Sequence, residues 1–242
     1  MKTSSSVPPS VSILPHLSVD CVIFGYHNGE LSVLLLKWKN SNVWALAGGR
    51  VLKDEDIDTA AERVLFQRTQ LKGIFLRQFY IFGRFNRVTP DDYSHTFAHL
   101  GYSEDGAAPL LDRTLTVGYY ALVDHQKVSP QADEFADGFH WYSVKDIPAL
   151  VFDHNEIVMK ALATLRHAFH YEYLGQNLLP DEFTMPELQH LYETVLDEPM
   201  DRANFQKRML ASGHFERVGK RMAGKAHKSP YLYRYVGGPA SL

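Results

Sequence analysis

Cysteine is nearly absent from this chain, which has only Cys21 among its 242 residues. A lone cysteine excludes a disulfide bond within the chain and is typical of proteins that work in a reducing cytoplasm. Cys21 lies in an apolar run with Val19, Val22 and Ile23. We therefore expect it to be a small buried side chain and not a reactive thiol.

Long apolar runs are missing as well. A transmembrane helix needs about 18 or more consecutive apolar residues, and the sequence contains no such stretch. The first 15 residues are rich in serine and proline and lack the apolar core of a secretory signal. The sequence predicts a flexible N-terminal arm over residues 1–17, no membrane partner and a cytoplasmic location.

Charge is distributed unevenly, although the net charge of the whole chain is only −3. From Asp201 onward, nine basic and two acidic side chains give +7, whereas the first 200 residues carry 16 basic and 26 acidic side chains, giving −10. A basic module attached to an acidic body is typical of proteins that bind nucleic acid with one domain.

Apolar patterns in the first half predict strands around one early helix. Residues 20–26 and 31–38 are apolar runs joined by Asn28-Gly29, and this pair favours a hairpin because both residues accept positive φ. Residues 56–71 have helical spacing. Further strands are expected at 74–82, 115–123 and 139–144, and a long polar stretch extends from Arg84 to Arg113.

The last third of the chain predicts helices followed by a short β-ribbon. Asp153 is expected to cap a linker helix over residues 153–176. Thr184-Met-Pro-Glu187 is a capping box, and Asp201 precedes a second helix that ends near Gly213. Two short strands, 215–218 and 230–236, then flank a basic connection. Helix, turn, helix and ribbon together predict a winged helix-turn-helix over residues 177–242.

A glycine, a glutamate and an arginine stand at fixed spacing early in the chain: Gly49, Glu55 and Arg63. They match the first half of the Nudix box, G-x5-E-x7-R-E-U-x-E-E-x-G-U, and follow Trp44-Ala-Leu-Ala-Gly. This region resembles the Nudix family. The resemblance implies an α+β protein in which a Nudix-fold α/β/α sandwich with a mixed sheet, over residues 18–152, is followed by the winged helix-turn-helix domain.

The second half of the box departs from the family. Its three helix glutamates correspond to Val64, Gln67 and Arg68, which share one helix face. Mg²⁺ prefers anionic oxygen ligands, so we expect no metal, no cofactor and no catalytic residue, with Gly49, Glu55 and Arg63 kept as a structural remnant. An active hydrolase of ADP-ribose-like nucleoside diphosphates, with metal ligands displaced to the acidic residues at 54–58, is the alternative.

The segment from Asn177 to Leu210 resembles the Nudix-related transcriptional regulators. In that family a degenerate Nudix domain senses a small molecule, and a winged helix binds operator DNA. The resemblance implies a regulator of NAD-related or sugar metabolism, expected to be a repressor and a homodimer. Its effector would be ADP-ribose or a sugar such as a pentose.

Two groups of site residues follow from these expectations. The side chains expected to contact double-stranded operator DNA, by base contacts from the second helix and phosphate contacts from the wing, are Arg202, Asn204, Lys207, Arg208, Lys220, Arg221, Lys225, His227 and Lys228. The expected effector-binding side chains are Arg50, Arg84 and Arg113, because arginine pairs with phosphate and sugar hydroxyls. A winged helix that contacts protein is the second alternative.

Overall fold

The structure is a computed structural model that describes residues 13–87, 113–131, 136–175, 178–221 and 229–237. Within these ranges the elements are, in chain order, β1 (Ile13–His27), β2 (Glu30–Trp38), β3 (Trp44–Ala45), β4 (Ala47–Leu52), α1 (Ile57–Thr69), β5 (Arg77–Phe82), β6 (Leu115–Asp124), β7 (Ala136–Ser143), α2 (His154–Tyr171), α3 (Met185–Leu196), α4 (Arg202–Ala211), β8 (Phe215–Lys220) and β9 (Tyr231–Tyr235).

The first seven strands form one mixed sheet with the order β3-β2-β1-β6-β5, in which β4 also pairs with β1 and β7 with β2. The central pair, β1 and β6, is parallel. The β1–β2 hairpin closes through Asn28 and Gly29 with φ of 49° and 79°, which confirms the predicted turn.

The first strand begins at Ile13, inside the predicted flexible arm, and this corrects the boundary at residue 17. Ile13 pairs with Leu52 of β4, and the register of the β1–β4 pairing shifts between Ile13 and Ser18. Leu17 then pairs with Leu115 of β6. Two neighbouring strands hold this segment by pairing at its two ends, although it contains Pro15.

Alternate residues of β1 face two separate cores, as the two-residue period of a strand requires. Val19, Cys21 and Ile23 pack with the buried residues of α1. Val22, Phe24 and Tyr26 pack with those of α2 on the opposite face. The mixed sheet therefore lies between helices, which confirms the predicted α/β/α sandwich.

The predicted linker helix, α2, is embedded in a core that continues into the C-terminal domain. Its buried residues Ile157, Leu165 and Phe169 share one apolar cluster with Leu191 and Tyr192 of α3. Asp153 precedes the helix but makes no capping hydrogen bond with its side chain. That expectation was wrong, because the carboxylate has a different partner, described below.

The C-terminal domain contains α3, α4 and the β8–β9 ribbon. The capping box is confirmed, since the Thr184 hydroxyl and the Glu187 carboxylate both accept the predicted backbone donors. The Asp201 carboxylate accepts from the backbone N–H of Asn204 at 2.8 Å, so α4 is capped as predicted. In the described part of the chain, no helix combines the length and the apolar character that a membrane span requires.

Candidate effector cleft and nucleic-acid interface

The Nudix-box remnant connects three elements: Gly49 lies in β4, Glu55 in the loop before α1, and Arg63 in the middle of α1. The guanidinium of Arg63 donates from Nε to Glu55 Oε2 at 2.8 Å and from Nη2 to Glu55 Oε1 at 2.6 Å. It also donates to the backbone carbonyl of Arg50 at 2.8 Å. The hydrogen bonds from Arg63 hold the pKa of Glu55 below its ordinary value. These contacts tie the loop between β4 and α1 to the helix.

The α1 face that follows carries no carboxylate at positions 64, 67 and 68. Val64 is buried against Gly49 of β4, where a Cβ on the glycine would lie 2.9 Å from Val64 Cγ2. The side-chain oxygen of Gln67 accepts from Arg63 at 2.8 Å. Arg68 donates from Nε to the carbonyl of Gly48 at 3.0 Å. At these three positions the helix face therefore carries an alkyl group, an amide and a guanidinium.

A buried polar network next to Gly48 was missed by the sequence analysis. Asp20 accepts a hydrogen bond from the Thr116 hydroxyl at 2.8 Å, and Ser18 donates to the same hydroxyl oxygen at 2.8 Å. His154 Nδ1 accepts from the backbone N–H of Leu46 at 3.1 Å. A neutral ring then carries its proton on Nε2, which lies 3.6 Å from Asp20 Oδ1.

Burial is the main cause that lowers the pKa of His154, so we describe the ring as neutral. The only sequence signal for this network was a set of polar residues inside otherwise apolar strand patterns. Among the residues that the structure describes, no group of three or more His, Cys, Asp or Glu side chains is arranged to hold a metal ion.

The three predicted effector arginines lie around the end of β5 and the start of β6. Arg50 donates to the Thr114 hydroxyl at 2.8 Å. Arg113 donates to the carbonyl of Gly83 at 2.7 Å, and Arg84 forms an exposed ion pair with Glu156 of α2. The strand ends bring these side chains into one region of the Nudix-type domain. Residues 88–112 of the long polar stretch lie outside the described residues.

A fourth arginine in this region, Arg87, was not predicted. Its guanidinium donates to both carboxylate oxygens of Asp153, at 2.8 and 2.7 Å. It also donates to the backbone carbonyl of Thr114 at 3.2 Å. Thr114 therefore binds Arg50 through its hydroxyl and Arg87 through its carbonyl. Through Asp153, Arg87 connects this cleft to the start of α2. An arginine within a polar stretch offered no sequence signal for this burial.

All four predicted base-contacting residues of α4 are exposed. Phe205 and Met209 are buried in the domain core. Asn204, Lys207 and Arg208 lie on the outer side of the helix, and Arg202 is exposed at its N-terminal end. Arg208 also lies over the rings of Tyr192 and Phe205, with its guanidinium carbon 5.9 and 5.8 Å from the ring centres. The helix presents a polar, cationic surface next to an apolar one.

The β8–β9 ribbon carries further cations beside this helix. Lys220 lies over the ring of Tyr231 at 5.2 Å, and Arg217, which was not predicted, lies over the same ring at 4.4 Å. Arg221 forms two hydrogen bonds with Glu187 of the capping box, at 2.8 and 3.0 Å. This guanidinium therefore holds the ribbon to α3. Lys225, His227 and Lys228 lie outside the described residues.

Each of the two domains matches a known protein family. Residues 14–162 match the NUDIX domain family, which is more than half of the chain. The chain belongs to the NUDIX family. Residues 175–235 match the NrtR DNA-binding winged helix domain, so this Nudix protein is a DNA-binding regulator in its domain composition.

Three relatives resemble this Nudix regulator over nearly its whole length. A protein of Acinetobacter baylyi, named "ADPR responsive transcriptional repressor NtrR", is 29% identical over 92% of this chain and 82% of its own. NrtR of Shewanella oneidensis, solved in complex with a 27mer DNA, is 25% identical with a TM-score of 0.65, over 90% of this chain and 93% of its own. A MutT/nudix family protein from Enterococcus faecalis, 22% identical with a TM-score of 0.68 over 92% and 86% of the two chains, shares the fold. The curated relative is a repressor by name, which favours a non-catalytic role for this chain.

The Nudix domain and the winged helix contact each other through α3. The turn of the β1–β2 hairpin lies against this helix, where the Thr194 hydroxyl donates to the carbonyl of Gly29 at 3.3 Å. Lys145 pairs with Asp197 at 2.5 Å, and Arg166 of α2 donates to the carbonyl of Val195 at 3.0 Å. A conformational change in the Nudix domain can therefore be transmitted to the winged helix domain through these contacts.

Proposed function

We propose that this chain is a transcriptional repressor that binds operator DNA through α4 and the β8–β9 ribbon, and that an ADP-ribose-like ligand in its Nudix domain controls this binding. The observation that carries the proposal is the exposed face of α4, where Asn204, Lys207 and Arg208 lie opposite the buried Phe205 and Met209, with Arg202 exposed at the N-terminal end of the helix. Arginine and lysine favour guanine edges, and asparagine favours adenine.

The Nudix domain in this proposal binds its ligand and does not hydrolyse it. Nudix chemistry implies Mg²⁺, and the residues on the α1 face do not fit this ion. Val64 is apolar, the amide oxygen of Gln67 is bound by Arg63, and Arg68 places a positive charge next to Gly48 of β4. Mg²⁺ requires hard anionic oxygen ligands, so we assign no metal-dependent step to this cleft.

The region around Arg50, Arg84 and Arg113 is the proposed effector site. Support comes from the name of the Acinetobacter baylyi relative, which describes a response to ADPR. A ligand with two phosphates suits a region with several arginines, because guanidinium groups bind phosphate oxygens in pairs. A pentose would use the same side chains as donors to its hydroxyl groups, and it therefore belongs in the test.

We further propose that the protein acts as a homodimer on a near-palindromic operator. A two-fold dimer doubles the contacts of one winged helix and presents two recognition helices at a fixed spacing. A ligand that binds one arrangement of the dimer more tightly than another would change that spacing.

The test is fluorescence anisotropy on DNA from upstream of the protein's own gene, at controlled salt, with ADP-ribose and arabinose titrated separately. We expect nanomolar-range binding that is lost with increasing salt, since phosphate contacts release counterions, and weakened by one of the two ligands. Binding that is insensitive to salt, or equal on unrelated DNA, would instead favour a winged helix that contacts protein.

Catalysis is tested separately by incubating the protein with ADP-ribose and Mg²⁺ and measuring AMP release. We expect no Mg²⁺-dependent turnover. Turnover that increases with the Mg²⁺ concentration would establish the hydrolase alternative, in which other acidic residues replace the missing ligands.

A further inference from the structure

The α1 face that holds metal in the Nudix box carries hydrogen-bond donors in this chain. The amide oxygen of the exposed Gln67 accepts from Arg63 Nη1 at 2.8 Å, which leaves the NH2 group of the same amide with two donors. The guanidinium of Arg68 can only donate. The ionised glutamates of the box would only accept hydrogen bonds at these two positions. The hydrogen-bonding polarity of the face is therefore reversed.

Arg68 is held against β4, the strand that also carries a predicted effector-binding residue. Its Nε donates to the carbonyl of Gly48 at 3.0 Å, and Arg63 Nη2 donates to the carbonyl of Arg50 at 2.8 Å. Carbonyls of alternate strand residues point to the same side, so both guanidinium groups lie along one edge of β4. Gly48 and Arg50 are about 7 Å apart along the strand, and we therefore place Arg50 and Arg68 at the same ligand.

Two carboxylates next to β4 are already bound within the domain. Glu55 accepts two hydrogen bonds from Arg63, at 2.8 and 2.6 Å. Asp20 pairs with Gly48 across the sheet, is buried, and accepts from the Thr116 hydroxyl at 2.8 Å. A site that attracts a divalent cation needs several anionic oxygens facing one point. These two carboxylates face other partners, and the side chain that reaches Gly48 from α1 is a cation.

We propose that the cleft binds the diphosphate of its effector without a metal ion, with the Arg68 guanidinium and the Gln67 amide donating to phosphate oxygens. The inference rests on the ADP-ribose-like effector of the proposed function. Phosphate oxygens are anionic acceptors, so a donor face with a guanidinium binds them directly. In a Nudix hydrolase Mg²⁺ neutralises this charge. Arg68 also selects a diphosphate over an uncharged sugar, which gains nothing from a positive charge.

The test is isothermal titration calorimetry of the full chain with ADP-ribose, in EDTA and in Mg²⁺. We expect the wild type to bind in EDTA, and added Mg²⁺ to leave the affinity unchanged or lower it, because Mg²⁺ on the diphosphate competes with Arg68. Arg68→Gln should weaken binding in EDTA at least about tenfold, since a hydrogen bond to a charged group is lost. Arg68→Lys keeps the charge and should lose less.

The double variant Gln67→Glu with Arg68→Glu restores acceptors to the face. It should bind more weakly in EDTA than Arg68→Gln, because carboxylates repel phosphate, and Mg²⁺ should strengthen its binding. Loss of a structural contact to Gly48 alone would not reverse the effect of Mg²⁺. Lys72→Gln, which removes a positive charge that lies over the Phe66 ring, is the matched control and should bind like the wild type in both buffers. Circular dichroism checks that each variant is folded.

The proposal is overturned if the wild type needs Mg²⁺ to bind ADP-ribose, if Arg68→Gln binds like the wild type in EDTA, or if the double variant responds to Mg²⁺ as the wild type does. Absence of ADP-ribose binding would overturn it together with the ADP-ribose effector. Binding that does not depend on Arg68 would overturn this inference alone. The calorimetry contains no DNA, so the anisotropy titration tests the repressor function separately.

Discussion

The guanidinium of Arg87 and the carboxylate of Asp153 form a buried ion pair with two hydrogen bonds, and their side chains are only 6% and 8% exposed. Arg87 lies beyond the end of β5, next to the effector cleft, and Asp153 lies at the first turn of α2. The pair therefore joins the cleft to the helix that packs against the winged helix domain.

Removing one member of this pair should destabilise the fold strongly. We expect Arg87→Ala to lower the free energy of unfolding by about 3–5 kcal/mol, because Asp153 would stay buried without a partner. The double variant Arg87→Met with Asp153→Leu should recover most of that loss. Urea denaturation measures both. Arg84→Ala, which breaks an exposed pair, is the matched control and should have a much smaller effect; similar losses for the two arginines would contradict this account.

Acid should weaken the contact between the Nudix loop and α1. Hydrogen bonds from Arg63 lower the pKa of Glu55 from its ordinary value of 4.5. A lowered pKa in the folded state contributes stability that is present above the unfolded pKa and is lost as the pH falls through the folded pKa. We expect the wild type to lose more stability below pH 4.5 than Glu55→Gln. Glu62→Gln, at an exposed position on the same helix, should keep the wild-type pH profile in thermal melts.

Gln70 ends α1 in the left-handed conformation, with φ of 59°. A residue with a Cβ pays about 1–2 kcal/mol for this conformation, and glycine does not. Gln70→Gly should therefore stabilise the protein by about 1 kcal/mol. Gln70→Ala keeps the Cβ and should give no gain. Equal stability of the two variants in urea denaturation would show that the backbone conformation is not the cause.

Gly29 combines a positive φ with a close contact to the winged helix domain. Its φ is 79°, and a Cβ at this position would lie 2.2 Å from Nε2 of His190 in α3. We expect Gly29→Ala to destabilise the chain by about 1–2 kcal/mol from the backbone alone, with a further loss from displacement of His190. Adding His190→Ala should remove only that second part. Gly138→Ala, where an added Cβ meets nothing within 4 Å, should be close to neutral in the same melts.

The face of α4 predicts how single substitutions affect DNA binding. If Arg208 contacts a base, Arg208→Ala should weaken binding to the upstream DNA by about 1–3 kcal/mol and relax specificity at one position. Lys220→Ala, which removes a predicted phosphate contact from the wing, should weaken binding to all sequences and reduce the salt dependence. Lys39→Ala, in an exposed turn of the Nudix domain, removes the same charge far from this face. An equal effect of Lys39→Ala in anisotropy titrations would remove α4 from the interface.

Features set by neighbouring residues were predicted correctly. The Asn28-Gly29 turn, the Thr184–Glu187 capping box and the Asp201 cap were all found where the sequence placed them. Each depends on residues within four positions of one another, so a local pattern is sufficient. The buried side of α4, with Phe205 and Met209, follows from helical spacing in the same way.

Features set by distant residues were missed or wrong. Asp153 was expected to cap α2, but Arg87 takes its carboxylate. The ion pair between Arg221 and Glu187 was not anticipated, and the phosphate contact of Arg221 stays a prediction. Ile13 and its neighbours were expected in a loose arm, and they form the start of β1. In each case the partner lies in a segment that no local pattern brings close.

The amino-acid sequence alone determined which groups stand on the α1 face, because Val64, Gln67 and Arg68 share one side of any helix formed there. It also determined the basic character of the segment from Asp201 onward. The tertiary structure decided the Arg87–Asp153 pair and the contact between Gly29 and His190. These depend on how the sheet, α2 and α3 pack, and such contacts between distant segments exist only once the chain has folded.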